Sequence, residues 1–206
     1  MAPIQAVSPT VSGNDLRLWR TVTAFSMKGM FMKQPRLNLY RVDIKLIRNL
    51  AHADDRVMSV SPQIDKSTRP FIGVIVVCKD KQYCIPLSSP KEKHKTMKND
   101  VDFMKVFDGD RLIAVLNFNE MIPVRADVIQ PLNMRPDKSD DERTRHYKKM
   151  TSKQLAFCQK NQDAIVKKAN RLYDLVTTEK ASFNLRKRCC DFLKLESVLA
   201  RYRKSN

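Results

Sequence analysis

The feature that most constrains the fold is a pair of apolar runs within residues 69–91. The runs Phe71–Val77 and Tyr83–Leu87 are rich in Val, Ile, Phe and Tyr, and they flank the polar residues 79–82. Such residues fit a pleated, half-buried surface, so the sequence predicts a β-hairpin with a turn of about four residues. Pro90 cannot donate a backbone hydrogen bond, and strand pairing should therefore end before it.

The pattern of the remaining chain predicts an α+β domain. Further strands are predicted at 37–42 and 111–118. Residues 103–107 are predicted to form a strand or a turn, and one or two short strands are predicted between 121 and 129. A short helix is predicted at about 43–52 with Asp43 as its N-cap. Three more helices with apolar stripes follow from about residue 138, the third with Ser182 as its N-cap. Early strands followed by helices indicate a small antiparallel sheet or partly closed barrel with packed helices.

The first 36 residues differ from the rest of the chain. Residues 1–36 have no sustained hydrophobic period, and we predict a poorly structured extension or leader there and a single domain over 37–206. The alternative for 1–36 is a basic arm that a partner orders. The segment does not resemble a secretory signal, because no charged start leads into an apolar run and a small-residue cleavage site. The polar segments 53–68 and 92–100 are predicted to be solvated loops.

The charge balance indicates a polyanionic partner. The net charge is +17, from 39 Lys and Arg against 22 Asp and Glu. Such an excess repels itself unless a polyanion offsets it, which makes nucleic acid the leading partner class and an anionic membrane surface the second. The basic residues do not gather on one amphipathic segment, and no run of about 18 apolar residues exists, so no membrane association is expected.

Cysteine and histidine usage excludes several classes of site. The five cysteines have no CxxC spacing, and Cys78 and Cys84 lie within apolar strands, where we expect them to act as small core residues. We therefore expect a reducing, cytoplasmic compartment. The three histidines are far apart and lack metal-ligand spacing, and there is no GxSxG, HExxH or Walker loop. No metal or cofactor is expected.

Polar groups converge at one end of the predicted hairpin. Arg69 enters the first strand, while Ser88, Ser89 and Lys91 leave the second, and these two points lie at the same end of an antiparallel hairpin. Two cations and two hydroxyls suit a phosphate. RNA carries its own nucleophile, the 2′-OH, so such groups could align and stabilise cleavage that leaves 2′,3′-cyclic phosphate and 5′-OH ends. Alternatively, the Ser-Ser-Pro-Lys segment is an ordinary turn.

Other basic segments are candidates for RNA contact or simply solvated faces. The candidate RNA-binding residues in them are Lys93, His94, Lys95, Arg145, Tyr147, Lys148, Lys149, Lys167, Arg186 and Lys187. Tyr147 could stack on a base, but its place on an apolar stripe favours core packing. Two further classes of function stay open on these residues: a non-catalytic RNA-binding module, and a basic structural protein that binds acidic proteins or membranes.

A series of motifs resembles the ToxN/AbiQ family, the endoribonuclease toxins of type III toxin–antitoxin systems. In order along about residues 37–180, the motifs are Leu39–Val42 before a short helix, Phe71–Gly73, Pro86–Lys91, Asn117, Met121–Pro123 and Tyr147–Gln154. The family's Thr-Ser-x-Lys cluster falls on Ser88, Ser89 and Lys91. Its basic residue two positions before Phe-Ile-Gly falls on Arg69, where the best-known members have Lys. Because Arg is a poor proton donor, Lys91 would supply any titrating amine.

The resemblance also implies a fold, a reaction and partners. The implied fold is a twisted antiparallel sheet with packed helices, similar to the Kid/MazF toxins. The implied activity is metal-independent cleavage of cellular or phage mRNA, in abortive phage defence or plasmid and growth control. The implied inhibitor is a small RNA pseudoknot that the toxin cuts from a tandem-repeat precursor and that joins it in a closed hetero-oligomer. Tyr40 and Asn117, which lie in the matching motifs, join the candidate RNA-binding residues.

Overall fold

Seven strands and six α-helices form the described part of the chain. The structure is a computed structural model that describes residues 34–58 and 71–204. The elements are β1 (Leu39–Val42), α1 (Ile44–Ala53), β2 (Ile72–Cys78), β3 (Lys81–Ser88), α2 (Glu92–Thr96), β4 (Phe103–Asp108), β5 (Arg111–Asn117), β6 (Ile122–Val124), β7 (Ile129–Pro131), α3 (Glu142–Lys160), α4 (Gln162–Thr177), α5 (Phe183–Arg188) and α6 (Phe192–Arg201). The extension predicted for 1–36 lies almost wholly outside these residues, as do Arg69 and most of the loop predicted for 53–68.

The strands form an open antiparallel sheet. Their order is β4-β5-β3-β2-β1-β7, and β6 pairs with β3. β3 therefore has β2 on one side, and on the other it has β6 along Gln82–Cys84 and β5 at Leu87 and Ser88. The α+β prediction is confirmed. Among the described strands β4 and β7 do not pair, so the sheet is not closed and its predicted barrel-like character is not confirmed. The likeness to Kid/MazF toxins stays a prediction.

The predicted hairpin is present, but its turn is shorter than predicted. Cys78 pairs with Lys81, so only Lys79 and Asp80 form the turn, with φ of 56° at Lys79. The strand continues into the polar residues because the helices supply partners for them. The ammonium of Lys79 lies 3.1 Å from an oxygen of Asp174 in α4, and Lys81 forms an ion pair with Glu196 in α6.

The helices follow their capping residues. Asp43 accepts a hydrogen bond of 2.8 Å from the Lys45 amide and starts α1, as predicted. Asp141 accepts one of 2.7 Å from the Thr144 amide, so α3 begins at Glu142 rather than near residue 138. The predicted loop over 92–100 is wrong in its first half, where α2 forms and buries His94.

The predicted third C-terminal helix is two helices. Ser182 caps the first, α5, as predicted. The chain then leaves helical geometry at Cys189, and the Cys190 amide donates a hydrogen bond of 2.8 Å to the carbonyl oxygen of Asn119. Asp191 restarts the helix by accepting from the Lys194 amide at 3.0 Å. A second capping residue inside an apolar period therefore divides one predicted helix into α5 and α6.

The core lies between the sheet and the helices. α4 packs on β2, α3 on β4 and β5, and α6 on β6 and on α1. The rings of Tyr83, Tyr173 and Phe192 pack together, and both tyrosine hydroxyls donate to Glu196 Oε1, at 2.6 and 2.9 Å. All five cysteines are buried and free, which confirms the core role predicted for Cys78 and Cys84. No helix in the described ranges is long and apolar enough to cross a membrane.

Candidate active site and basic surfaces

The ends of β3 and β5 and the short helix α2 surround a pocket of about 670 Å³, which we call the strand-end pocket. Its polar lining includes Ser88, Lys91, Lys93, His94, Asn117 and Glu120. Ser88 is the last residue of β3 and Asn117 is the last residue of β5. The pocket therefore lies where two adjacent strands leave the sheet, the position in which a rigid framework can present side chains precisely to a ligand.

Asn117 links Ser88 to a carboxylate. Ser88 pairs with Val115, which places Asn117 diagonally across the strand pair on the same face. The Nδ2 atom of Asn117 donates to Ser88 Oγ and to Glu120 Oε2, each at 3.3 Å. Because Ser88 Oγ accepts from Asn117, its own hydroxyl hydrogen is available to donate elsewhere, for example to a phosphate oxygen.

His94 is held in one protonation state by the start of α2. The Lys91 amide donates to His94 Nδ1 at 3.0 Å, and the His94 amide donates to the Lys91 carbonyl oxygen at 2.9 Å. Burial lowers the pKa of His94, and the positive charges of Lys93, Lys91 and Lys105 lower it further. The ring is therefore neutral near pH 7, and because Nδ1 accepts, Nε2 carries its proton.

Three acidic residues line the same pocket, but they differ in their partners. Arg188 forms an ion pair with Asp102, and its Nη2 lies 3.4 Å from Asp100 Oδ2. Glu120 forms no ion pair within the described residues and has only the hydrogen bond from Asn117. Burial raises its pKa, although that hydrogen bond and the charges of Lys91 and Lys93 act in the opposite direction. Glu120 is therefore the acidic group of the pocket that is least committed to a partner.

The pocket unites some of the residues that the sequence singled out. Ser88, Lys91, Lys93, His94 and Asn117 all line it. The other described candidates do not line it: Lys95 is on the exposed side of α2, and the rest lie on other elements, Tyr40 on β1, Arg145, Tyr147, Lys148 and Lys149 on α3, Lys167 on α4, and Arg186 and Lys187 on α5. Ser89 is exposed just after β3 and does not line the pocket.

The basic segment at the start of α3 holds an exposed aromatic ring, a lysine paired with a carboxylate, and exposed cations that form no ion pair within the described part of the chain. Tyr147 is 45% exposed, so the predicted core packing is wrong and base stacking stays a prediction. Lys148 donates to both carboxylate oxygens of Asp140, at 2.7 and 2.8 Å, and its charge is compensated there. Arg145 and Lys149 are exposed and form no ion pair with any described residue. A run of cations in the sequence therefore did not distinguish free charges from paired ones.

The sequence analysis missed Glu120 and Arg188. Glu120 follows Asn117 by three residues, directly after a strand that borders the Ser88 strand, and this order was a usable signal. Arg188 follows Arg186 and Lys187 in one basic run, and its ion pair with Asp102, 86 residues away, has no local signal in the sequence. Across residues 34–58 and 71–204, no group of three or more His, Cys, Asp or Glu side chains could hold a metal ion.

A second pocket, of about 360 Å³, lies between the first half of α1 and the end of α6, and we call it the helix-end pocket. It is lined by Lys45, Arg48, Asn49, Arg201, Tyr202 and Arg203. None of its four cations forms an ion pair with a described residue. α1 and α6 run in opposite directions, since the Asp191 amide at the start of α6 donates to Asp54 Oδ2 just after α1, at 2.7 Å. Met58, five residues beyond the end of α1, lines the strand-end pocket, so the two pockets lie towards opposite ends of this helix, which is about 15 Å long.

Curated relatives share the greater part of this chain. The endoribonuclease ToxN of Bacillus thuringiensis subsp. kurstaki is 29% identical over 170 residues, which cover 80% of this chain and 83% of the relative. The endoribonuclease AbiQ of Lactococcus lactis subsp. lactis is 30% identical over 152 residues, which cover 70% of this chain and 79% of the relative.

Solved structures of such toxins have the same fold. One, described as a type III toxin selectively inhibited by a non-coding RNA pseudoknot, matches with a TM-score of 0.68 and 25% identity, over 83% of this chain and 100% of the other. Another, of AbiQ, described as a lactococcal anti-phage endoribonuclease, matches with a TM-score of 0.66 and 26% identity, over 81% of this chain and 97% of the other. The family model of the toxin ToxN of type III toxin–antitoxin systems matches residues 38–200. The chain therefore belongs to the ToxN family of toxins from type III toxin–antitoxin systems.

Proposed function

We propose that this protein is an endoribonuclease toxin that cleaves RNA without a metal ion, by attack of the 2′-OH on the adjacent phosphate. The products would carry 2′,3′-cyclic phosphate and 5′-OH ends. The observation that carries the proposal is that Ser88, Lys91 and Asn117 line one pocket at the ends of two adjacent strands. The membership of the chain in a family whose curated relatives are endoribonucleases supports the same conclusion.

The pocket offers the groups that this reaction requires. The Lys91 ammonium would stabilise the negative charge that develops on the phosphorane. The Ser88 hydroxyl, oriented by its bond from Asn117, would donate to a non-bridging phosphate oxygen. Ser89 and Arg69 keep the roles expected from the resemblance, with Ser89 as a second phosphate-positioning hydroxyl and Arg69 as a second phosphate-binding cation.

We propose an RNA partner as well as an RNA substrate. A toxin in one of the similar structures is described as inhibited by an RNA pseudoknot, and another similar structure is described as part of a bacterial antiviral system that a processed non-coding RNA regulates. A net charge of +17 suits enclosure by such a polyanion. The antitoxin would be cut by the toxin from a tandem-repeat precursor and would bind it in a closed hetero-oligomer in the cytoplasm. Residues 37–206 would form the catalytic domain, with a core related to Kid/MazF toxins.

The decisive experiment combines EDTA, one variant and an analysis of RNA ends. The wild-type protein in EDTA should cut RNA and leave 2′,3′-cyclic phosphates. Lys91→Ala should remain folded and lose about 100- to 1,000-fold in single-turnover rate, because an oriented positive charge at the phosphorane is removed. Lys160→Ala is the matched control, since Lys160 is exposed at the end of α3 and forms no ion pair with a described residue. Intact RNA with wild-type protein would instead indicate a non-catalytic RNA-binding module.

A further inference from the structure

The proposed reaction needs a group that removes the proton of the 2′-OH. Lys91 and Arg188 are cationic and cannot accept a proton while charged, and a serine hydroxyl is too weak a base near neutral pH. The strand-end pocket holds three carboxylates, and Arg188 engages two of them, Asp100 and Asp102. The third, Glu120, has no cationic partner in ion-pair contact among the described residues.

Glu120 is placed by the same amide that orients Ser88. Asn117 Nδ2 lies 3.3 Å from Ser88 Oγ and 3.3 Å from Glu120 Oε2, so a phosphate held by Ser88 would bring its neighbouring ribose close to the carboxylate. Only one oxygen of Glu120 accepts a bond from a described residue, which leaves the other, Oε1, free to accept a proton.

Resting on the proposed function, we propose that Glu120 is the general base of RNA cleavage and that Asn117 is the residue that positions it. Glu120 takes the proton of the 2′-OH, the 2′ oxygen forms its bond to phosphorus, and the bond from phosphorus to the 5′ oxygen breaks. The 5′ oxygen takes a proton from the Lys91 ammonium. Solvent then removes the proton from Glu120 and returns one to Lys91, so the enzyme is restored and no oxidant or reductant is needed.

The surroundings of Glu120 favour this role near neutral pH. Burial raises the pKa of its carboxyl above the ordinary value, which brings it closer to the working pH of a base. The hydrogen bond from Asn117 and the charges of Lys91 and Lys93 keep the carboxylate form accessible. The charged or titratable groups around it are Lys91, Lys93, His94, Lys98, Asp100, Asp102, Arg188 and the buried Cys190 thiol.

The test is the pH dependence of single-turnover RNA cleavage. Glu120→Gln keeps the size of the side chain and should lower the rate by about 100- to 10,000-fold, with RNA binding retained and the acidic limb of the pH profile lost. Asn117→Ala removes a bond that stabilises the carboxylate, so its acidic limb should move to higher pH, which a purely structural role would not produce. Glu142→Gln is the control, because Glu142 is an exposed glutamate at the start of α3.

A substrate with an activated leaving group separates a base from an acid. Uridine 3′-(p-nitrophenyl phosphate) needs no proton on its leaving group, so the rate loss of Glu120→Gln should persist on it. Recovery of the rate on this substrate would overturn the base assignment, as would a Glu120→Gln enzyme that cuts RNA normally with its acidic limb intact. In both cases the wild-type protein still cleaves RNA and the proposed function stands. A wild-type protein that cleaves no RNA would overturn both proposals together.

Discussion

The two ends of helix α1 carry pockets of different composition. The helix-end pocket holds four cations and no acidic residue in its lining, whereas the strand-end pocket holds cations, carboxylates, a neutral histidine and hydrogen-bonded polar groups. A surface that holds cations and no carboxylate attracts a polyanion but offers no general base. Groups of both signs, fixed by hydrogen bonds to strand ends, can both bind a phosphate and exchange protons with it.

The two pockets also differ in how they are built. In the strand-end pocket, Ser88 and Asn117 hold each other across paired strands, and His94 is buried and bonded to the Lys91 amide. In the helix-end pocket, Arg201 and Arg203 donate only to carbonyl oxygens of their own segment, those of Ser197 and Ala200 among them. The polar side chains of the strand-end pocket are therefore fixed by contacts between different segments, whereas these two arginines of the helix-end pocket bond only to their own segment.

The largest effect is expected from Gly73, because the strand-end pocket depends on the close approach of β2 and β3. Gly73 pairs with Pro86, two residues before Ser88. A Cβ at position 73 would lie 2.2 Å from the Ile85 carbonyl oxygen and 2.6 Å from Cys84 Sγ. Gly73→Ala should therefore lower the free energy of unfolding by about 3 kcal/mol, as measured by urea denaturation, and move Ser88 out of register with Asn117.

Gly109 provides the matched control for that variant. It lies in the β4–β5 turn with φ of +58°, and a Cβ there would have no heavy atom within 4 Å. Gly109→Ala should cost about 1 kcal/mol, from backbone strain alone. If Gly73→Ala proved no less stable than Gly109→Ala, tight packing between β2 and β3 would not be what supports the strand-end pocket.

Local sequence signals predicted the strand-end pocket better than the helix-end pocket. A hairpin is local, so Ser88 and Lys91 could be placed at its exit from hydrophobic pattern and Pro90 alone. Glu120 joins them only through the pairing of β3 with β5, which a single sequence does not specify. The helix-end pocket combines α1 with the end of α6, about 150 residues apart in the chain, and no local pattern brings such distant cations together.

Contacts between neighbouring segments explain two further features that the hydrophobic pattern did not reveal. Lys148 appeared as one cation in a basic run, but the fold pairs it with Asp140 from the loop before α3. Residues 92–96 appeared too polar for a regular element, but His94 supplies a buried ring that packs 5.4 Å from the Phe103 ring and anchors α2. In both cases the deciding partner lies in another segment, so periodicity could not reveal it.

An effect of intermediate size is expected from the helix-end pocket. Replacing both Lys45 and Arg48 with Ala should weaken binding of long RNA by roughly 10-fold. The slope of log K against log salt concentration should become less steep by about 0.7 for each phosphate contact that is lost. The single-turnover rate at saturating RNA should not change, because none of the proposed catalytic residues lines this pocket. Binding is measured by fluorescence anisotropy at several salt concentrations.

The control for that variant removes the same charge elsewhere. Lys160→Ala combined with Lys180→Ala eliminates two exposed cations from other parts of the surface. If both double variants weakened RNA binding equally, net charge rather than the helix-end pocket would be responsible. A lower cleavage rate at saturating RNA in the Lys45 and Arg48 variant would show that the helix-end pocket affects the cleavage step as well as RNA binding.

The smallest effect on RNA binding is expected from Asp54, which ties the end of α1 near the strand-end pocket to α6. It is 4% exposed, accepts from Arg56 Nε at 2.8 Å and Nη2 at 2.9 Å, and accepts from the Asp191 amide at 2.7 Å. Burial alone would raise the pKa of Asp54, but the hydrogen bonds from Arg56 and Asp191 outweigh it, and the pKa is lowered. Asp54→Asn should therefore cost about 2 kcal/mol at pH 7.

The pH dependence of that cost has a definite sign. A carboxyl whose pKa is lower in the folded than in the unfolded chain contributes stability above its unfolded pKa of about 3.9, and this contribution is lost as the pH falls through the folded value. The stability difference between wild type and Asp54→Asn should therefore be constant from pH 7 to about 5 and shrink below about pH 4. A difference that stayed constant down to pH 3 would show that shape, rather than the charge of Asp54, joins α1 to α6. Asp54→Asn should leave RNA binding by the helix-end pocket unchanged at pH 7, because that pocket lies near the opposite end of α1. The substitution should therefore lower the stability of the protein without weakening its affinity for RNA.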